Sequence, residues 1–333
     1  MAVTIHDIAR ELNVSSMTVS RVLSSVDNTL VKPATRIRVE EAALRMGYRP
    51  NRNARALASG RTNIIGLWIS HLNTSVYSQI AQACRVAVQE AGMEISISEM
   101  DWHFHASEGH RRFQWPVDGI LAVDPPPQDV LEKLLEPTAW KDVPRVHLGS
   151  GQSVPWQGDS VCVDLGAGTR TAIEHLLRVG CKRIAYVTPW WGERPGMCHY
   201  DAYIEVLKTV GMQPECIVVD DWECPTVRRT VVEHIKANGH PDGIYCHHDE
   251  FTIATFRALR DLDLHIPNDV ALIGCEGNAF LEYFDPSIST MAMPVPDLCR
   301  TSWELLQKRI NEPLSPPQNI TLPVEFLARA SSR

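Results

Sequence analysis

Near the head of the chain, apolar positions recur at helical spacing. Ile5, Ile8, Ala9 and Leu12 fall at i, i+3, i+4 and i+7 and make one face. Thr4 precedes them with Asp7 three residues on, a short-acid form of the capping box. An Asn13-Val14 turn leads into a second short helix capped by Ser15 and running to Leu23. Val19, Val22 and Leu23 point inward from it, leaving Ser16, Met17, Thr18, Ser20 and Arg21 on or near the outer face. Two short helices about a tight turn predict a helix-turn-helix, whose second helix is the element that enters a DNA groove. A third helix is predicted from about Pro33 to Met46. Proline suits its first position and Gly47 is its stop. Ile37, Glu40-Glu41, Leu44 and Met46 give it a mixed face. Tyr48-Arg49-Pro50-Asn51 reads as a turn, and Asn51 to Ser59 as a short helical segment ended by Gly60.

From Ile64 the period changes. Apolar runs at 64–69, 94–99, 119–123, 145–148, 183–188, 216–219, 243–247 and 270–274 alternate with helical patterns at 77–91, 129–136, 169–179, 199–210, 225–238 and 250–263. Such β-α alternation predicts parallel sheets wrapped by helices. About ten strand candidates are more than one compact sheet needs, so two α/β lobes are expected, and no repeat of fixed period is visible.

Composition refines this picture. With 333 residues, 44% hydrophobic and 7% aromatic, the chain has room for two or three ordinary globular domains. No apolar run approaches a membrane span, and no signal-peptide pattern opens the chain. Nine scattered cysteines without a Cys-x-x-Cys suggest reduced thiols, hence a cytoplasmic protein. The net charge of −8 by itself argues against nucleic acid, but its distribution reverses that. Residues 1–61 hold ten Lys/Arg against five Asp/Glu, a net of +5, leaving −13 for the remainder. A basic head on an acidic body fits a DNA-binding module joined to something else.

In open parallel sheets, ligands sit beyond the carboxyl ends of the strands. That rule nominates His71-Leu72-Asn73, Asp124, Trp190-Trp191, Asp220-Asp221-Trp222, His248-Asp249 and Glu276. Aromatic faces with a few hydrogen-bonding groups suit a small polar ligand with apolar faces.

Taken in order and spacing, these residues resemble the LacI/GalR family of bacterial transcription regulators over essentially the whole chain. The head carries Thr4-Ile5-His6-Asp7-Ile8-Ala9, Val14-Ser15, Thr18-Val19-Ser20-Arg21-Val22-Leu23, Gly47-Tyr48-Arg49-Pro50-Asn51 and Ala54-Arg55-Ala56-Leu57. The body adds Val117-Asp118-Gly119-Ile120, Arg183-Ile184-Ala185-Tyr186, Ile266-Pro267-Asn268-Asp269-Val270-Ala271 and a closing stretch at 322–331. The fold implied by this resemblance is an all-α helix-turn-helix head, a hinge helix, and an α/β periplasmic-binding-protein-like core of two doubly wound lobes. The expected division is 1–50 for the head and 51–61 for hinge and linker. The core is 62–333, with lobe 1 at about 62–160 and 291–321 and lobe 2 at about 163–289 and 323–333. Chain crossings are expected near 161–164, 289–294 and 319–323. The family likeness also implies a homodimer on a near-palindromic operator, with its interface mainly on the lobe containing 62–160. The absence of a heptad-patterned C-terminal extension argues against a tetramer.

The resemblance assigns base reading to Ser16, Met17 and Arg21, the last able to pair with guanine O6/N7. Thr18, Ser20 and Asn51 become phosphate contacts, and Thr4, Ser15, Asn28, Tyr48, Arg52 and Ala54 complete the DNA-facing set. Leu57 matches the leucine that wedges into the minor groove and kinks the duplex.

The ligand pocket departs from the pattern. Many sugar-responsive members carry an arginine four residues before an aromatic on the helix after the second lobe's first strand; here His199 stands there, before Tyr203. The usual Asn-Asp pair is His248-Asp249, and Gly-x-Asp-Asp is Gly274-Cys275-Glu276-Gly277. Two readings follow. In one, a saccharide or glycoside stacks on Trp190, Trp191 or Trp222 while Glu276 and Asp249 grip its hydroxyls, with His71, Asn73, Tyr77, Asp124, His199 and His248 around it. In the other, the effector is nucleoside-like or absent, and the tryptophans are core packing. An enzyme is a poor fit: His103, His105 and His110, and the run His247-His248-Asp249, have loose metal spacing and no paired acid and base. No catalytic residue, metal or cofactor is expected. A solute-binding protein without a DNA role conflicts with the basic head.

Overall fold

The computed structural model describes residues 3–23, 31–49, 56, 60–70, 72, 74–100, 116–126, 128–136, 140–150 and 157–333. The chain forms two compact units, Met1–Thr62 and Asn63–Arg333. No helix among the described residues is long and apolar enough to cross a membrane.

The first unit is three helices: α1 (Ile5–Leu12), α2 (Ser16–Leu23) and α3 (Pro33–Arg45). Asp7 accepts from the Thr4 N–H at 3.0 Å and the Thr4 hydroxyl at 2.7 Å, tying down the start of α1. Asn13 ends that helix at φ 52°, a left-handed position that asparagine tolerates. The Ser15 hydroxyl accepts from the Thr18 N–H at 3.0 Å and caps α2. Ile8, Val19 and Val39 are fully buried, with Ala9, Val22, Ala42 and Ala43 around them. This corrects the expected face of α3. Val39, Ala42 and Ala43 turn inward, whereas Ile37 and Leu44 are 55% and 82% exposed. Small side chains let α3 approach α1 and α2 closely, and the larger ones would not fit. An Arg45–Glu11 ion pair and an Arg38 hydrogen bond to the Leu12 carbonyl pin α3 to the end of α1.

The second unit contains two six-stranded sheets. The first runs in the order β11-β5-β4-β3-β1-β2, all parallel. Its strands are β1 (Ile64–Ile69), β2 (Glu94–Glu99), β3 (Gly119–Val123), β4 (Arg145–Gly149), β5 (Asp159–Val163) and β11 (Asn319–Leu322). Helices α4 (Ser75–Glu90), α5 (Gln128–Leu135) and α10 (Val295–Asn311) belong with it. The second sheet runs β12-β10-β9-β8-β6-β7, parallel except for the β10–β12 pair. Its strands are β6 (Ile184–Pro189), β7 (Glu215–Val219), β8 (Gly243–Cys246), β9 (Ala271–Glu276), β10 (Ser289–Ala292) and β12 (Glu325–Leu327). Around it stand α6 (Leu165–Arg178), α7 (Cys198–Thr209), α8 (Cys224–Asn238) and α9 (Asp249–Asp261). The central strands are buried almost throughout, as β3 and β6 show, which is why they read as continuous apolar runs.

The chain passes between the sheets three times: β5 to α6, β10 to α10, and β11 to β12. The middle crossing falls after Ala292. Helix α10 escaped the periodicity reading. It buries Val295, Leu298, Cys299, Ser302, Trp303, Leu305 and Leu306, a sound helical stripe in which cysteine and serine dilute the apolar signal. Its far end is anchored by Arg309, which forks onto Asp159 at 2.6 and 3.2 Å. Asp159 is 1% exposed at its side chain and also accepts from the Gln318 N–H at 2.9 Å. All nine cysteines are free thiols.

Removing one partner of a buried ion pair strands the other charge. Asp159→Ala should therefore cost about 3–5 kcal/mol in urea unfolding. The exposed Arg170–Glu205 pair should matter far less, with Glu205→Ala costing under about 1 kcal/mol. Equal effects of the two changes would show that the Arg309–Asp159 fork does not hold α10.

Candidate DNA-reading head and ligand cleft

The head presents α2 as its reading element. Val19 and Val22 anchor one side of the helix in the core. On the other side Met17 (62%), Ser20 and Arg21 are exposed, and Ser16 and Thr18 are half-buried. The Thr18 hydroxyl lies 2.8 Å from the Ser15 hydroxyl, so both belong to the helix cap as well as to the proposed contact set. Thr4 likewise spends its hydroxyl on Asp7. Tyr48 packs partly against the three-helix core. Asn28, Asn51, Arg52, Ala54 and Leu57 lie outside the described residues. Gly60, at φ 68°, donates to the Ala56 carbonyl at 2.8 Å, a helix-end bond.

In the core, the nominated residues converge at the carboxyl ends of the two sheets. From the first lobe comes Asp124, directly after β3 and at φ 41°. Its carboxylate accepts from the Ser150 N–H and hydroxyl, both at 2.7 Å, and from the Tyr77 hydroxyl at 3.1 Å. Gly149 is required beside it, because a Cβ there would lie 2.3 Å from Asp124 Oδ1. From the second lobe come Trp191, His199, Trp222, His247, His248, Asp249 and Glu276. Glu276 sits at φ 96°, strained for a residue with a side chain. It faces His248, with Oε1 2.8 Å from Nδ1, and accepts from the Asp249 N–H at 3.3 Å through Oε2. The lobes touch where Glu250 accepts from the Ser75 N–H at 2.8 Å.

The aromatic wall is built from imidazoles as much as indoles. His199 and His247 ring centroids are 4.4 Å apart, His247 and His248 4.3 Å, and His248 and Trp222 4.3 Å. Trp191 stands edge-on to His247 at 5.2 Å and lies 5.8 Å from Trp222. His199 is nearly fully buried, its Nδ1 2.7 Å from the Thr169 hydroxyl. That hydroxyl also donates to the Leu165 carbonyl at 2.9 Å, and the Tyr245 hydroxyl lies 3.2 Å from the same ring nitrogen. Burial lowers His199 and His248 to about 3 and His247 further, so all three rings are neutral near pH 7. His248–Glu276 is therefore a hydrogen bond between partly neutral groups rather than an ion pair. Burial, reinforced by neighbouring carboxylates, pushes Asp249 and Glu276 well up, and burial raises Asp124.

The structure separates the nominated residues. Tyr77, Asp124, Trp191, His199, Trp222, His248, Asp249 and Glu276 are brought together. Trp190 is not: it is 60% exposed, and its backbone N–H pairs with the Val219 carbonyl. Asp249 is 1% exposed and turns one oxygen to the Asn278 N–H at 2.6 Å, so it is no simple hydroxyl clamp. Trp222 also rests on Phe251, and core packing is part of its role. His71 and Asn73 lie outside the described residues, as do His103, His105 and His110. Among the described residues no cluster of His, Cys, Asp and Glu is arranged to hold a metal. Thr74, Ser75, Ser150, Thr169, His247 and Glu250 were missed as ligand-site candidates. Ser150 and His247 directly follow β4 and β8 and lay within reach of the strand-end rule, whereas Glu250 lies one residue beyond the nominated His248-Asp249.

A three-helix DNA-reading head ahead of a two-lobed binding core defines a ligand-responsive DNA-binding regulator. Residues 4–51 match the model for bacterial regulatory proteins, lacI family, and 173–332 match the periplasmic binding protein-like domain. Catabolite control protein A of Staphylococcus xylosus is 28% identical over 340 residues, and the HTH-type transcriptional regulator RegA of Clostridium saccharobutylicum 26% over 342, each covering all of both chains. Among solved structures, the lac repressor dimer bound to operator and an anti-inducer matches with TM-score 0.86 at 22% identity, covering 100% of this chain and 99% of that one. A CelR–cellobiose complex matches with TM-score 0.69 at 26% identity over 99% of each. The chain thus joins a DNA-binding domain of the lacI family of bacterial regulatory proteins to a periplasmic-binding-protein-like domain. It is a DNA-binding transcriptional regulator and not an enzyme.

The buried histidines carry a pH consequence. Their folded pKa values lie below the ordinary 6.5, so the unfolded chain takes up protons first. Their contribution is present above pH 6.5 and is lost as pH falls toward 3, at up to about 1.4 kcal/mol per pH unit for each ring. Asp249 and Glu276, raised in the fold, act in the opposite sense, losing stability as pH rises from about 4. The Tm of wild type should fall between pH 6.5 and 5 more steeply than that of His199→Gln. Parallel profiles would contradict a neutral, buried His199.

Proposed function

We propose that the chain is a repressor which binds a pseudo-palindromic operator as a homodimer and is governed by a saccharide or glycoside held between its lobes. The observation that carries the DNA part is α2, anchored by Val19 and Val22 with Ser16, Met17, Ser20 and Arg21 turned outward on a head of net charge +5. The dimer is supported by likeness to a lac repressor dimer bound to operator, and the effector class by likeness to a regulator bound to cellobiose. Residues 51–61, with Leu57, are assigned to the hinge that enters the minor groove. A DNA-reading role and unpaired thiols support a cytoplasmic location.

The same cleft bears on the rival nucleoside reading. The Trp191 and Trp222 centroids are 5.8 Å apart and tilted by 31°. A base sandwiched between two rings needs about 7 Å, two van der Waals contacts of about 3.5 Å. One face of a sugar ring packs on this wall without opening it.

Fluorescence anisotropy on palindromic segments flanking the gene tests the proposal. Binding should be site-selective and weaken steeply with salt, because phosphate contacts release counterions. Arg21→Ala should cost about 1–3 kcal/mol and relax preference at one base position. Binding that is equal on unrelated duplexes would sink the operator reading. A nucleoside, but no sugar, shifting the DNA affinity would replace the effector.

A further inference from the structure

Resting on the reading of the cleft as a saccharide site, the geometry points to an effector that carries a positive charge: we propose that the cleft takes an amine-bearing saccharide, its ammonium set among Glu250, Asp124 and Glu276. Four carboxyl groups, Asp124, Asp249, Glu250 and Glu276, meet at the seam. Among the described residues none of them forms an ion pair with lysine or arginine. The nearest cation acting on Asp249 is Arg329, whose guanidinium is engaged with the Ile288 carbonyl at 2.8 Å. At the place where an arginine would supply fixed donors stands His199, neutral and committed to Thr169.

A second observation is independent of that charge. Buried polar atoms from both lobes lack partners at the same seam: Thr74 Oγ1 and Ser75 Oγ from one side, His248 Nε2 and Glu250 Oε2 from the other. Thr74 is 8% exposed, and it immediately precedes the Ser75 N–H that Glu250 accepts. Orphaned buried groups are rare, and a set of them facing across a cleft is the imprint of a missing polar guest. The imprint is rich in acceptors. A carboxylate oxygen accepts only, and hydroxyls serve either way, so the guest must bring donors. An ammonium brings three donors, no acceptor and the compensating charge. The Trp191 and Trp222 faces favour a cation close by and pack the sugar ring. A neutral hexose can donate hydroxyl hydrogen bonds to these carboxyl groups but brings no charge to balance them.

Isothermal titration of the full-length protein at low ionic strength and pH 6.5 decides the matter. The probes are glucosamine, galactosamine and mannosamine, each with its neutral parent sugar and its N-acetyl derivative. At least one amine should bind on the order of tenfold more tightly than both counterparts, about 1.4 kcal/mol. Glu250→Gln, or Asp124→Asn should the first variant fold poorly, should bring that ratio close to one. A parent sugar binding as well as its amine overturns the charge assignment and leaves the saccharide reading intact. No binding by any probe, while another class of small molecule shifts DNA affinity, overturns both.

Discussion

The three passages between the sheets are the constraint on which the core depends. Each sheet is completed by a strand that arrives after a crossing: β11 pairs with β5 in the first, and β12 with β10 in the second. Neither lobe is therefore a continuous stretch of chain, and the two can shift only by bending at the connections. Those connections are themselves tied together. The Asp164 N–H donates to the Leu322 carbonyl at 2.9 Å, so two of the crossing segments are bonded to each other. The third, at 292–293, is strapped to the ligand site: the Met293 N–H donates to the Glu276 carbonyl at 3.1 Å, and a side chain at Gly277 would lie 2.6 Å from Ala292. The strained backbone of Glu276 thus belongs both to the pocket wall and to the hinge.

The electrostatics of the cleft follow from where parallel strands end. Strand ends deliver side chains to one edge, and in this chain they deliver carboxyls and imidazoles. Burial removes charge from both kinds of group, lowering the histidines and raising Asp249 and Glu276. The resulting wall is crowded with polar atoms. Such a wall costs little while hydrogen bonds cover it and a good deal where they do not. Asp124 and His199 are hydrogen-bonded within their own lobes, whereas Thr74, Ser75 and Glu250 each leave a buried polar atom without a partner at the seam.

Much of this was legible in the sequence, for identifiable reasons. The head's caps are local, so Thr4, Asp7 and Ser15 could be read directly, and continuous apolar runs marked the buried parallel strands. The strand-end rule found Asp124, Trp191, Trp222, His248, Asp249 and Glu276 because sheet topology alone puts them at one edge. The failures lie where the answer is set by packing partners. Helix α3 buries alanines because α1 and α2 approach closely, and an apolar count naturally favours Ile37 and Leu44 instead. Trp190 and Trp191 are adjacent and chemically identical, and only the turn after β6 decides which faces inward. Glu250 contributes through a contact with Ser75, 175 residues away, which no local pattern encodes.

Charge asymmetry and a two-lobed core together limit how this regulator can respond. With +5 on the head and −13 on the remainder, long-range attraction to DNA must come from the head, while the rest of the chain opposes it. A ligand changes DNA affinity only by the difference in its own affinity for the two arrangements of the lobes, and DNA must change the ligand's affinity by the same factor. Reversing a hundredfold preference needs about 10⁴-fold discrimination, about 5.5 kcal/mol. A guest that meets acceptors from both lobes at once can supply this only if one arrangement brings Ser75 and Glu250 together and the other parts them. The Ser75–Glu250 hydrogen bond joins the two lobes, and Glu276 is bonded through its carbonyl to the crossing at Met293.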